Sequence, residues 1–410
     1  MKILNLGSCN IDYVYHVEHI VRPGETVAIH SMEQFPGGKG LNQSIALARA
    51  GAKVYHAGCI GQEGLFLKEL MAACGVDVSF VRVEEGRNGH AIIQVDSSGQ
   101  NSIVIFPGTN HKITPAYVEE LLDQFSAGDL LLLQNEISAL PYILQKATQR
   151  GLKILWNPSP FSQELKNIDL HCISILILNE VEAAEFSGKT QPEACLQYFG
   201  QNYPELTVVL TLGERGCLFY QNQKTLFQPA FYVKAVDTTA AGDTFTGYWT
   251  ASMAQGEEAA QALRLAVAAS ALAVTRKGAA SSIPLRHEVL AALPTLPLRT
   301  EENGVLRQKE VVLRYFDAHI TQANIEGLAR ELGYTPGYTH SWLKKNMGMP
   351  FSQLLQQRRC REAARLLTQS DLPAGEIIRR VGYQNESFFR KLFSDSYGIS
   401  MREYRKKYQC

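Results

Sequence analysis

The sequence has no cysteine pattern that would hold a fold together through disulfides or zinc. Its eight cysteines are scattered over 410 residues, and none forms a Cys-x-x-Cys pair. Closely spaced cysteines are typical of disulfide frameworks in secreted proteins and of structural zinc sites. We therefore expect free thiols and a protein of the reducing cytosol.

The sequence also shows no segment that would send the chain to a membrane. It opens with Met1-Lys-Ile-Leu-Asn-Leu-Gly7, a strand-like run that lacks the apolar stretch of a signal peptide. No apolar run approaches the roughly 18 to 20 residues that a membrane-spanning helix requires. These absences predict a cytoplasmic protein with no membrane partner.

Net charge is absent too, because 40 Lys and Arg balance 40 Asp and Glu. The balance hides an asymmetry: residues 305–410 hold 18 basic and 10 acidic side chains, whereas residues 1–304 hold 22 and 30. A basic small part joined to an acidic large part indicates that only the small part meets a polyanion. The length likewise favours one large domain and one small one.

Residues 1–300 alternate short apolar runs with helix-like stretches, which is typical of a parallel sheet covered by helices. The apolar runs suit strands that are buried on both faces. They are Ile3–Gly7, Val54–Gly58, Leu130–Leu133, Lys153–Trp156, Ile173–Leu178 and Thr207–Thr211. Two other segments, Tyr13–Glu33 and Gly89–Phe106, alternate apolar and polar residues as one-sided antiparallel strands do. We expect these two to form a small flap over a site.

One stretch organises this part of the chain, Asp237-Thr-Thr-Ala-Ala-Gly-Asp-Thr-Phe-Thr-Gly247. Phe231–Val236 before it is predicted as a strand, and helical spacing begins at Thr244. A strand that turns at Ala240–Gly242 into a helix directs unpaired amides at one point, which favours an anion there. Asp243 beside them would accept a proton from an attacking hydroxyl, so the stretch suits phosphoryl transfer. The alternative is that Asp243 only caps the helix.

Polar clusters follow the predicted strands at the edge where open α/β sheets bind ligands. The four clusters are Asn10–Asp12, Pro36–Asn42, Asn179–Glu182 and Thr211–Gly216. Asn, Asp and Gly favour turns in any protein. Four clusters in this order, with Asp243 behind them, are hard to attribute to turn chemistry alone.

These motifs resemble the ribokinase family of ATP-dependent carbohydrate kinases over about residues 1–295. The matching segments are Asn10-x-Asp12, Gly37-Gly-Lys-Gly-x-Asn42, Asn179-x-x-Glu182, Thr211-x-Gly213, Asp237-Thr-x-Ala-Ala-Gly-Asp243 and Ala273-Val-Thr-Arg-Lys-Gly278. The resemblance implies a three-layer α/β/α sandwich with a small β lid. It also implies transfer of the γ-phosphate of ATP to a hydroxyl of a sugar, with a ribose-like pentose favoured.

The resemblance further implies a role for each matching residue. Asp243 would be the catalytic base, and amides of Ala240, Ala241 and Gly242 would face the transferred phosphoryl group. The sugar would bind Asn10, Asp12, Gly38, Lys39, Asn42, Glu136 and Asp243. The nucleotide would bind Asn179, Glu182, Thr211, Gly213, Gly216 and Gly242, with Glu182 also acting indirectly on Mg²⁺. K⁺ would lie behind the anion hole among Asp237, Thr239, Ala273, Arg276, Gly278 and Ser282, partly through backbone carbonyls.

One position departs from the family pattern. Where the family places an adenine-contacting Asn, this chain has Val267. The departure leaves the nucleotide affinity open and does not touch the catalytic residues.

Residues 296–304 carry proline and polar residues without periodicity, which predicts a linker between a domain at 1–295 and one at 305–410. In the second domain a helix, a short turn and a helix occur twice, at Ile325–Met347 and at Ala374–Tyr397. The Arg-rich helix Phe351–Gln369 joins them. Two such units on a basic all-α domain indicate DNA binding more strongly than one helical corner does.

This segment resembles the DNA-binding domain of the AraC family, most clearly in Val381-Gly-Tyr-x-Asn-x-Ser-Phe-Phe-Arg-Lys-Leu-Phe393. The resemblance implies two recognition helices in successive major grooves of double-stranded DNA. Gly337, His340, Ser341 and Lys344 would face DNA from the first helix, and Glu386, Ser387, Arg390 and Lys391 from the second. Tyr338, Trp342, Phe388 and Phe393 are expected on the core face, and Lys344, Lys345, Arg358 and Arg359 against phosphates.

Taken together, the two parts predict a transcription regulator, acting as a homodimer, whose sensory domain is a sugar kinase using ATP, Mg²⁺ and K⁺. Two alternatives stay open. In one, the kinase fold only senses the sugar without turnover; in the other, a metabolic kinase carries a basic tail that does not regulate transcription. ADP formation would distinguish a regulator with kinase activity from a regulator that only senses the sugar. Sequence-specific DNA binding would distinguish both of these from the metabolic kinase. The sugar, the operator and the sign of regulation stay open as well.

Overall fold

The structure, a computed structural model, describes residues 1–96, 100–299 and 301–408, with side chains described outside 301–307. Residues 97–99 of the predicted flap, residue 300 of the predicted linker and Cys410 lie outside the described residues. The chain divides into two compact units, Met1–Leu298 and Arg299–Cys410. Each unit has its own buried core.

Most strands of the first unit form one large sheet. The strands are β1 Ile3–Leu6, β2 Asn10–His16, β3 Ser31–Gly37, β4 Val54–Ile60, β5 Asp77–Val83, β6 Gly89–Val95, β7 Asn101–Phe106, β8 Leu130–Leu133, β9 Lys153–Trp156, β10 Ile175–Asn179, β11 Thr207–Thr211, β12 Gly216–Gln221 and β13 Lys224–Pro229. In the described part of the chain, nine of them pair in the order β13-β12-β11-β10-β9-β8-β1-β4-β5. Neighbours from β11 to β5 are parallel, and β12 and β13 add an antiparallel hairpin at one edge.

The composition of the central strands explains their position. All residues of β1 and β8 are buried, and β8 is Leu130-Leu-Leu-Leu133. A strand of this kind is stable only where helices cover both of its faces. The prediction of a parallel sheet buried on both sides is confirmed.

Helices pack on both faces of this sheet. They are α1 Lys39–Arg49, α2 Leu65–Ala73, α3 Pro115–Leu122, α4 Leu140–Gln149, α5 Glu180–Ser187, α6 Pro192–Asn202, α7 Ala241–Ala254, α8 Ala259–Ala273 and α9 Arg286–Ala292. One core joins the sheet to α1, α7 and α8, through residues such as Leu41, Trp249 and Leu263. A second core on the other face joins it to α3, α4 and α6. The first unit is therefore a three-layer α/β/α sandwich.

A separate four-stranded sheet, in the order β3-β2-β6-β7, accounts for both segments of the predicted flap. Its two outer pairs are antiparallel, but β2 and β6 at the centre are parallel. The prediction of a small flap is confirmed, with one parallel pair that the alternating pattern did not indicate. Strand β2 begins at Asn10, just after β1 ends. The polar residues at its start, Asn10 and Asp12, therefore belong to this small sheet.

The predicted strand at Phe231–Val236 is wrong. Only Phe231 forms a bridge, to Leu298, and the following residues are irregular. The amides of Val236 and Asp237 both donate to Val274 O, at 2.7 and 3.2 Å. Those bonds hold the end of this segment against the residue that follows α8, and the amide of Tyr232 donates to Pro297 O at 2.8 Å, so these amides bond to loops and not to a neighbouring strand.

The second unit consists of helices in its described part. They are α10 Glu301–Ala318, α11 Ile325–Leu332, α12 Pro336–Met347, α13 Phe351–Gln369, α14 Ala374–Arg380, α15 Glu386–Tyr397 and α16 Met401–Tyr408. Helix α10 begins at Glu301, within the predicted linker. The pairs α11–α12 and α14–α15 are the two predicted helix-turn-helix units, and α13 connects them. No described helix is long and apolar enough to cross a bilayer.

Candidate active site and nucleic-acid interface

Asp243 lies at the start of α7, at the end of a left-handed turn. Ala240 precedes the helix with φ of 58°. A residue with a Cβ adopts this region at a cost of order 1–3 kcal/mol, and such residues are concentrated at functional sites. The turn brings the first amides of α7, which lack intrahelical partners, to the same point as Asp243. No side chain among the described residues caps α7.

The carboxylate of Asp243 is held by a different helix, which argues against a role as a simple cap. Asn42 Nδ2 donates to Asp243 Oδ2 at 3.0 Å, and Gln43 Nε2 donates to Oδ1 at 2.8 Å. Asp243 is only 7% exposed. Helix α1 thus holds a buried carboxylate by both oxygens beside the first turn of α7.

Lys39, at the first position of α1, and Glu136 form the charged part of this site. Glu136 Oε2 accepts from Ser8 Oγ and from the amide of Lys39, the latter at 3.0 Å. Burial raises the pKa of Glu136, although Lys39 opposes the shift. Burial alone would lower the pKa of Lys39, but the carboxylates of Asp243, Glu136 and Glu182 together raise it. The ammonium therefore balances several buried carboxyl groups.

The predicted sugar ligands Asn10 and Asp12 follow at the start of β2. Asn110 Nδ2 donates to Asn10 Oδ1 at 2.7 Å. Burial, with Glu136 and Asp243 nearby, raises the pKa of Asp12 to about 7. A Cβ on Gly37 would lie 2.1 Å from Asp12 Oδ2, so only glycine leaves room for that carboxyl group.

Two predicted residues complete this cluster. Gly38 precedes α1 with φ of 93°, a conformation that favours glycine. Asn42 Oδ1 is buried without a hydrogen-bond partner among the described residues. A buried acceptor of this kind is costly unless a ligand satisfies it. Asn42 therefore offers a free acceptor next to the carboxylate that its amide group contacts.

A pocket of about 220 Å³ opens beside Asp243 and includes much of the predicted nucleotide site. It is lined by Lys39, Asn157, Ser159, Ile177, Leu178, Asn179, Glu182, Thr211, Thr238, Ala240, Ala241, Gly242, Asp243 and Thr246. The structure thus brings together residues from α1, the β9–α5 region, β11 and α7. Gly213 in the turn after β11 and Gly216 at the start of β12 do not line this pocket.

Some predicted nucleotide residues also have structural roles. Asn179 Oδ1 accepts from the amide of Glu182, and Glu182 Oε2 accepts from the amide of Asn179, each at 2.9 Å. This reciprocal pair is a capping box that starts α5. A Cβ on Gly216 would lie 2.1 Å from Gln228 O, so that glycine is needed for the close approach of β13.

The residues predicted to hold K⁺ lie on two loops that meet at Asp237. Asp237 Oδ1 accepts from the amide and hydroxyl of Thr239 at 2.9 and 2.6 Å, and Oδ2 accepts from the amide of Gly278 at 2.9 Å. These bonds outweigh the effect of burial and lower the pKa of Asp237. Its carboxylate is therefore ionised and ties the loop before α7 to the loop after α8.

The rest of that set would contribute backbone oxygens. The side chain of Arg276 pairs with Glu288 at 2.7 Å, and Ser282 Oγ donates to Ala279 O at 2.8 Å. Ala273 O accepts from the amide of Arg276 at 3.0 Å. One carboxylate among carbonyl oxygens is the donor chemistry that hard cations prefer. Within the described residues, no group of three or more His, Cys, Asp or Glu suits a transition metal.

Four residues of the site were missed from the sequence. Asn157 and Ser159 line the pocket, Gln43 contacts Asp243, and Asn110 contacts Asn10. Asn157-Pro-Ser-Pro160 directly follows β9, so the rule that indicated the other clusters would also have indicated this one. Gln43 follows Asn42 in the same motif, but nothing in the sequence shows what its side chain contacts.

The two helix-turn-helix units start their second helices in the same way. Thr335 accepts from the amide of Tyr338 at 3.3 Å, and Asn385 accepts from the amide of Phe388 at 3.0 Å. Side-chain caps of this type fix where a helix begins. Consequently α12 and α15 present equivalent positions on their outer faces.

Most residues predicted to face DNA are exposed on those helices. They are Gly337, His340, Ser341, Lys344, Ser387, Arg390 and Lys391. Glu386 is partly buried and pairs with Arg390 at 3.0 Å. A base contact by Glu386 would therefore compete with this pair.

The prediction for the aromatic residues of these helices is half wrong. Trp342 and Phe393 are buried as expected, but Tyr338 is 55% and Phe388 is 51% exposed. In α15 the buried stripe is Phe389 and Phe393, four residues apart, and Phe388 is rotated about 100° from it. Tyr338 precedes Thr339, which takes the core position in α12.

Arg358 and Arg359, which are predicted to contact phosphates, also have partners within the unit. Arg358 Nε donates to Asp317 Oδ1 at 2.6 Å. Arg359 donates to Ile320 O at 2.8 Å and to Thr321 O at 3.0 Å, and its guanidinium lies 5.1 Å from the centre of the Tyr383 ring. Arg359 thus joins the connection between α10 and α11, which leads into the first helix-turn-helix unit, to the second unit.

Comparison with known proteins agrees with both units. The model of the pfkB family of carbohydrate kinases matches residues 1–286, and a helix-turn-helix domain matches residues 328–407. A ribokinase of Haemophilus influenzae is 37% identical over 298 residues, covering 70% of this chain and 97% of that protein. A deoxyribokinase of Salmonella typhi is 27% identical over 296 residues, covering 69% of this chain and 96% of that protein.

Solved structures are similar to the same part of the chain. Arabidopsis thaliana ribokinase complexed with ribose and ATP has 30% identity and a TM-score of 0.63, covering 71% of this chain and 98% of that one. Cryptococcus neoformans ribokinase in complex with ADP has 32% identity and a TM-score of 0.63, covering 71% and 99%.

Proposed function

Because the chain belongs to the pfkB family of carbohydrate kinases and carries an AraC-type helix-turn-helix domain, we propose that it is a sugar-responsive transcription regulator that phosphorylates its sugar. The first unit is an ATP-dependent sugar kinase. The observation that carries this activity is the buried carboxylate of Asp243, held by two donors of α1 at the start of α7.

The proposed chemistry follows from that geometry. Asp243 takes the proton of the sugar hydroxyl as its oxygen bonds to the γ-phosphorus, and the bond from that phosphorus to the oxygen of ADP breaks. The amides of Ala240 and Gly242, and that of Ala241 once it leaves its 3.3 Å bond to Thr238 O, would face the phosphoryl oxygens, where charge accumulates. Lys39 adds a positive charge that its neighbouring carboxylates keep protonated.

The sugar site would be the cluster around α1 and β2. Carboxyl groups of Asp12 and Glu136 and the free Oδ1 of Asn42 are acceptors for several neighbouring hydroxyls. A polyhydroxylated ligand satisfies such a set, since each hydroxyl can donate. We propose a ribose-like pentose, and the similarity to ribokinases supports this choice over a hexose.

Two cations fit the residues present. Glu182, at the start of α5, would hold Mg²⁺ indirectly, and Mg²⁺ would neutralise charge on the phosphates. Asp237 with the carbonyls of the loop after α8 would hold K⁺.

Val267 is buried in α8, so adenine would bind there through apolar contact without a side-chain amide.

Turnover is expected to rise when K⁺ replaces a large organic cation. A cation bound at Asp237 would fix the loop before α7 and therefore the amides of the anion hole. We would measure ADP formation in the chlorides of potassium and of tetramethylammonium at equal ionic strength. Asp237→Asn should lose the response; equal rates of the parent in both salts would remove the proposed K⁺ site.

Sugar affinity is expected to rise about tenfold between pH 6 and pH 8, because the pKa of Asp12 is about 7. The ionised carboxylate offers two charged acceptor oxygens to hydroxyls, whereas protonation removes the charge and turns one oxygen into a donor, so protonation below pH 7 weakens binding. Glu136 and Asp243 also act on this carboxyl group and contribute to its raised pKa. Calorimetry would give the affinity at each pH. Asp12→Asn should flatten the profile, and a flat profile in the parent would exclude this role for Asp12.

The second unit would bind operator DNA through α12 and α15. Exposed Arg390, Lys391, His340 and Lys344 provide charge and donors toward a groove. A homodimer is supported by β7, where Ile103, Val104, Ile105 and Phe106 are exposed. ATP and chromosomal DNA are both found in the cytoplasm, which is where we place the protein.

Two measurements test the proposal. ADP release would be followed with a panel of pentoses and hexoses, and ribose should give the largest kcat/KM. In vitro selection from random duplex DNA, repeated at two salt concentrations, would test for an operator. If sugar binds but no ADP forms, the first unit is a sensor without turnover. If ADP forms but no DNA sequence is selected, the protein is a metabolic kinase.

A further inference from the structure

A continuous chain of buried polar side chains leads away from Asp243 beneath the candidate sugar site. Gln43 Nε2 donates to Asp243 Oδ1 at 2.8 Å, and Gln134 Nε2 donates to Gln43 Oε1 at 2.8 Å. The chain continues from Gln134 to Asn5, Ser44, His56 and Cys9, with links of 2.9, 2.8, 2.8 and 3.2 Å. Gln43 is fully buried and Gln134 is 1% exposed.

The hydrogen-bonding capacity of the amides fixes the direction of these links. Gln134 uses both of its protons, one on Gln43 Oε1 and one on Asn5 Oδ1. Gln43 must therefore present its oxygen to Gln134. Its own two protons are then directed to Asp243 Oδ1 and to Asn157 Oδ1, the latter at 3.0 Å.

The far end of the chain fixes Gln134 in turn. Asn5 donates to Gly40 O and to Ser44 Oγ, each at 2.8 Å, so its oxygen has to face Gln134. Ser44 Oγ lies 2.8 Å from His56 Nδ1. Burial lowers the pKa of His56 to about 3, which keeps that ring neutral. One arrangement of amide protons therefore satisfies the links from Asn5 through Gln134 and Gln43 to Asp243.

We propose that Gln43 is a positioning residue for Asp243. We propose further that Gln134 fixes the orientation of the Gln43 amide, with its oxygen toward Gln134 and its nitrogen toward Asp243. The inference rests on the proposed role of Asp243 as the base. If the amide of Gln43 were reversed, its oxygen would face Asp243 Oδ1 at 2.8 Å, and two acceptors repel at that distance. The carboxylate would turn out of line with the sugar hydroxyl, and small misplacements of a base cost large factors in rate.

The residues around Gln134 leave space for its amide group. A Cβ on Gly7 would lie 2.3 Å from Gln134 Oε1, so Gly7 leaves the space that the side chain needs. Gln134 Oε1 has no partner among the described residues. A buried amide with an unsatisfied oxygen is less stable than an apolar side chain of the same shape. What the amide adds is the orientation of Gln43.

The test compares kcat and KM for variants of both glutamines, with ribose as the probe. Gln43→Met keeps the volume and removes the donor, and should lower kcat about 10- to 100-fold with KM changed less than about threefold. Gln134→Glu should do the same without touching Asp243 at a pH where its buried carboxyl group is ionised, because the carboxylate then accepts from Gln43 Nε2 and reverses its amide, so the loss of kcat should grow as pH rises. Gln134→Met removes the constraint without reversing Gln43, and should lower kcat less than Gln134→Glu.

Two comparisons separate positioning from loss of stability. Thr250→Val removes another buried hydroxyl, which bonds only Thr246 O in α7, and should alter the melting temperature without altering kcat. In the double variant Gln43→Met with Gln134→Glu, kcat should equal that of Gln43→Met alone, because no amide is left to reverse.

The outcomes are distinct. Normal kcat in Gln43→Met, or independent losses that multiply in the double variant, would overturn the inference. If Gln134→Glu does not fold, Gln43→Met and Gln134→Met decide the matter by the same kcat criterion. Asp243→Asn is measured in parallel: if it retains activity, the proposed base has failed; if it is inactive while Gln43→Met is normal, only the positioning role has failed.

Discussion

Asp243→Asn should lower kcat for ADP formation by about 10²- to 10⁴-fold, the usual contribution of a general base. The substitution preserves size and leaves the amides of α7 in place. It removes the group that takes the proton of the sugar hydroxyl. It also turns one acceptor of the carboxylate into a donor that faces Asn42 Nδ2 or Gln43 Nε2. Sugar affinity should change little, because Asp12, Glu136 and Asn42 retain their acceptors.

The matched control is Asp129→Asn. Asp129 precedes β8, at the amino-terminal ends of the parallel strands, whereas Glu136 of the candidate site follows the carboxyl end of the same strand. Asp129 accepts from the amides of Lys2 and Ser126 at 2.7 and 3.0 Å. This variant also loses a charge on a buried aspartate, and its kcat should equal that of the parent. ADP formation at the parent rate in Asp243→Asn would show that the site of phosphoryl transfer lies elsewhere.

Sugar should change the affinity for operator DNA about 5- to 150-fold, the range of a typical allosteric coupling of about 1–3 kcal/mol. By thermodynamic linkage, operator DNA must then change the affinity for sugar by the same factor. We would titrate sugar into the protein with and without operator DNA, because calorimetry measures sugar binding directly. Asp243→Asn is used in this titration, so that no sugar is consumed.

The physical basis for coupling is the small sheet and not the fusion itself. Asn10 and Asp12 lie on β2, which pairs with β6, and β6 pairs with β7. The exposed apolar residues of β7 would form the dimer contact. Closure of the small sheet over sugar would then change the contact between two chains, and with it the spacing of two DNA-binding units.

A variant that cannot bind DNA provides the control for this coupling. Arg390→Ala with Lys391→Ala removes two exposed cations of α15, and operator DNA should then leave the sugar affinity unchanged. Equal sugar affinities of Asp243→Asn with and without operator would mean that the first unit does not sense this sugar for the second.

The fold was accessible from the sequence where burial alone determines structure. A run such as Leu130–Leu133 has no exposed face to offer, so only a strand covered on both sides accommodates it. The alternation in Gly89–Phe106 indicated a one-sided sheet for the opposite reason. Phe231–Val236 was misread because its apolar residues Phe231 and Val233 pack into the first core, while the amides of Tyr232 and Val236 bond to Pro297 O and Val274 O. Composition does not reveal which partner a short apolar run will find.

The candidate site was accessible to the extent that it follows the ends of strands. Lys39 and Glu136 were indicated by that rule together with the family resemblance, whereas Asp243 was indicated by the turn into α7 although the strand predicted before it is absent. The structure brings the three together. The orientation of Gln43 was not accessible, because it depends on four side chains from distant parts of the chain. The exposed faces of Tyr338 and Phe388 were misread by one helical position, which is enough to turn a ring from core to solvent.

The link made by Arg359 has a consequence for how binding sites for this protein would evolve. Its guanidinium bonds two carbonyls of the segment between α10 and α11, which leads directly into the first helix-turn-helix unit, and lies over the ring of Tyr383 in the second. Two readers held at fixed separation and phase engage DNA as one bivalent ligand, so the second contact is intramolecular. A promoter that acquired only one of the two sub-sites would gain little affinity. Operators would have to arise with both sub-sites about one helical turn apart, and a later insertion of half a turn would place one of them on the wrong side of the duplex.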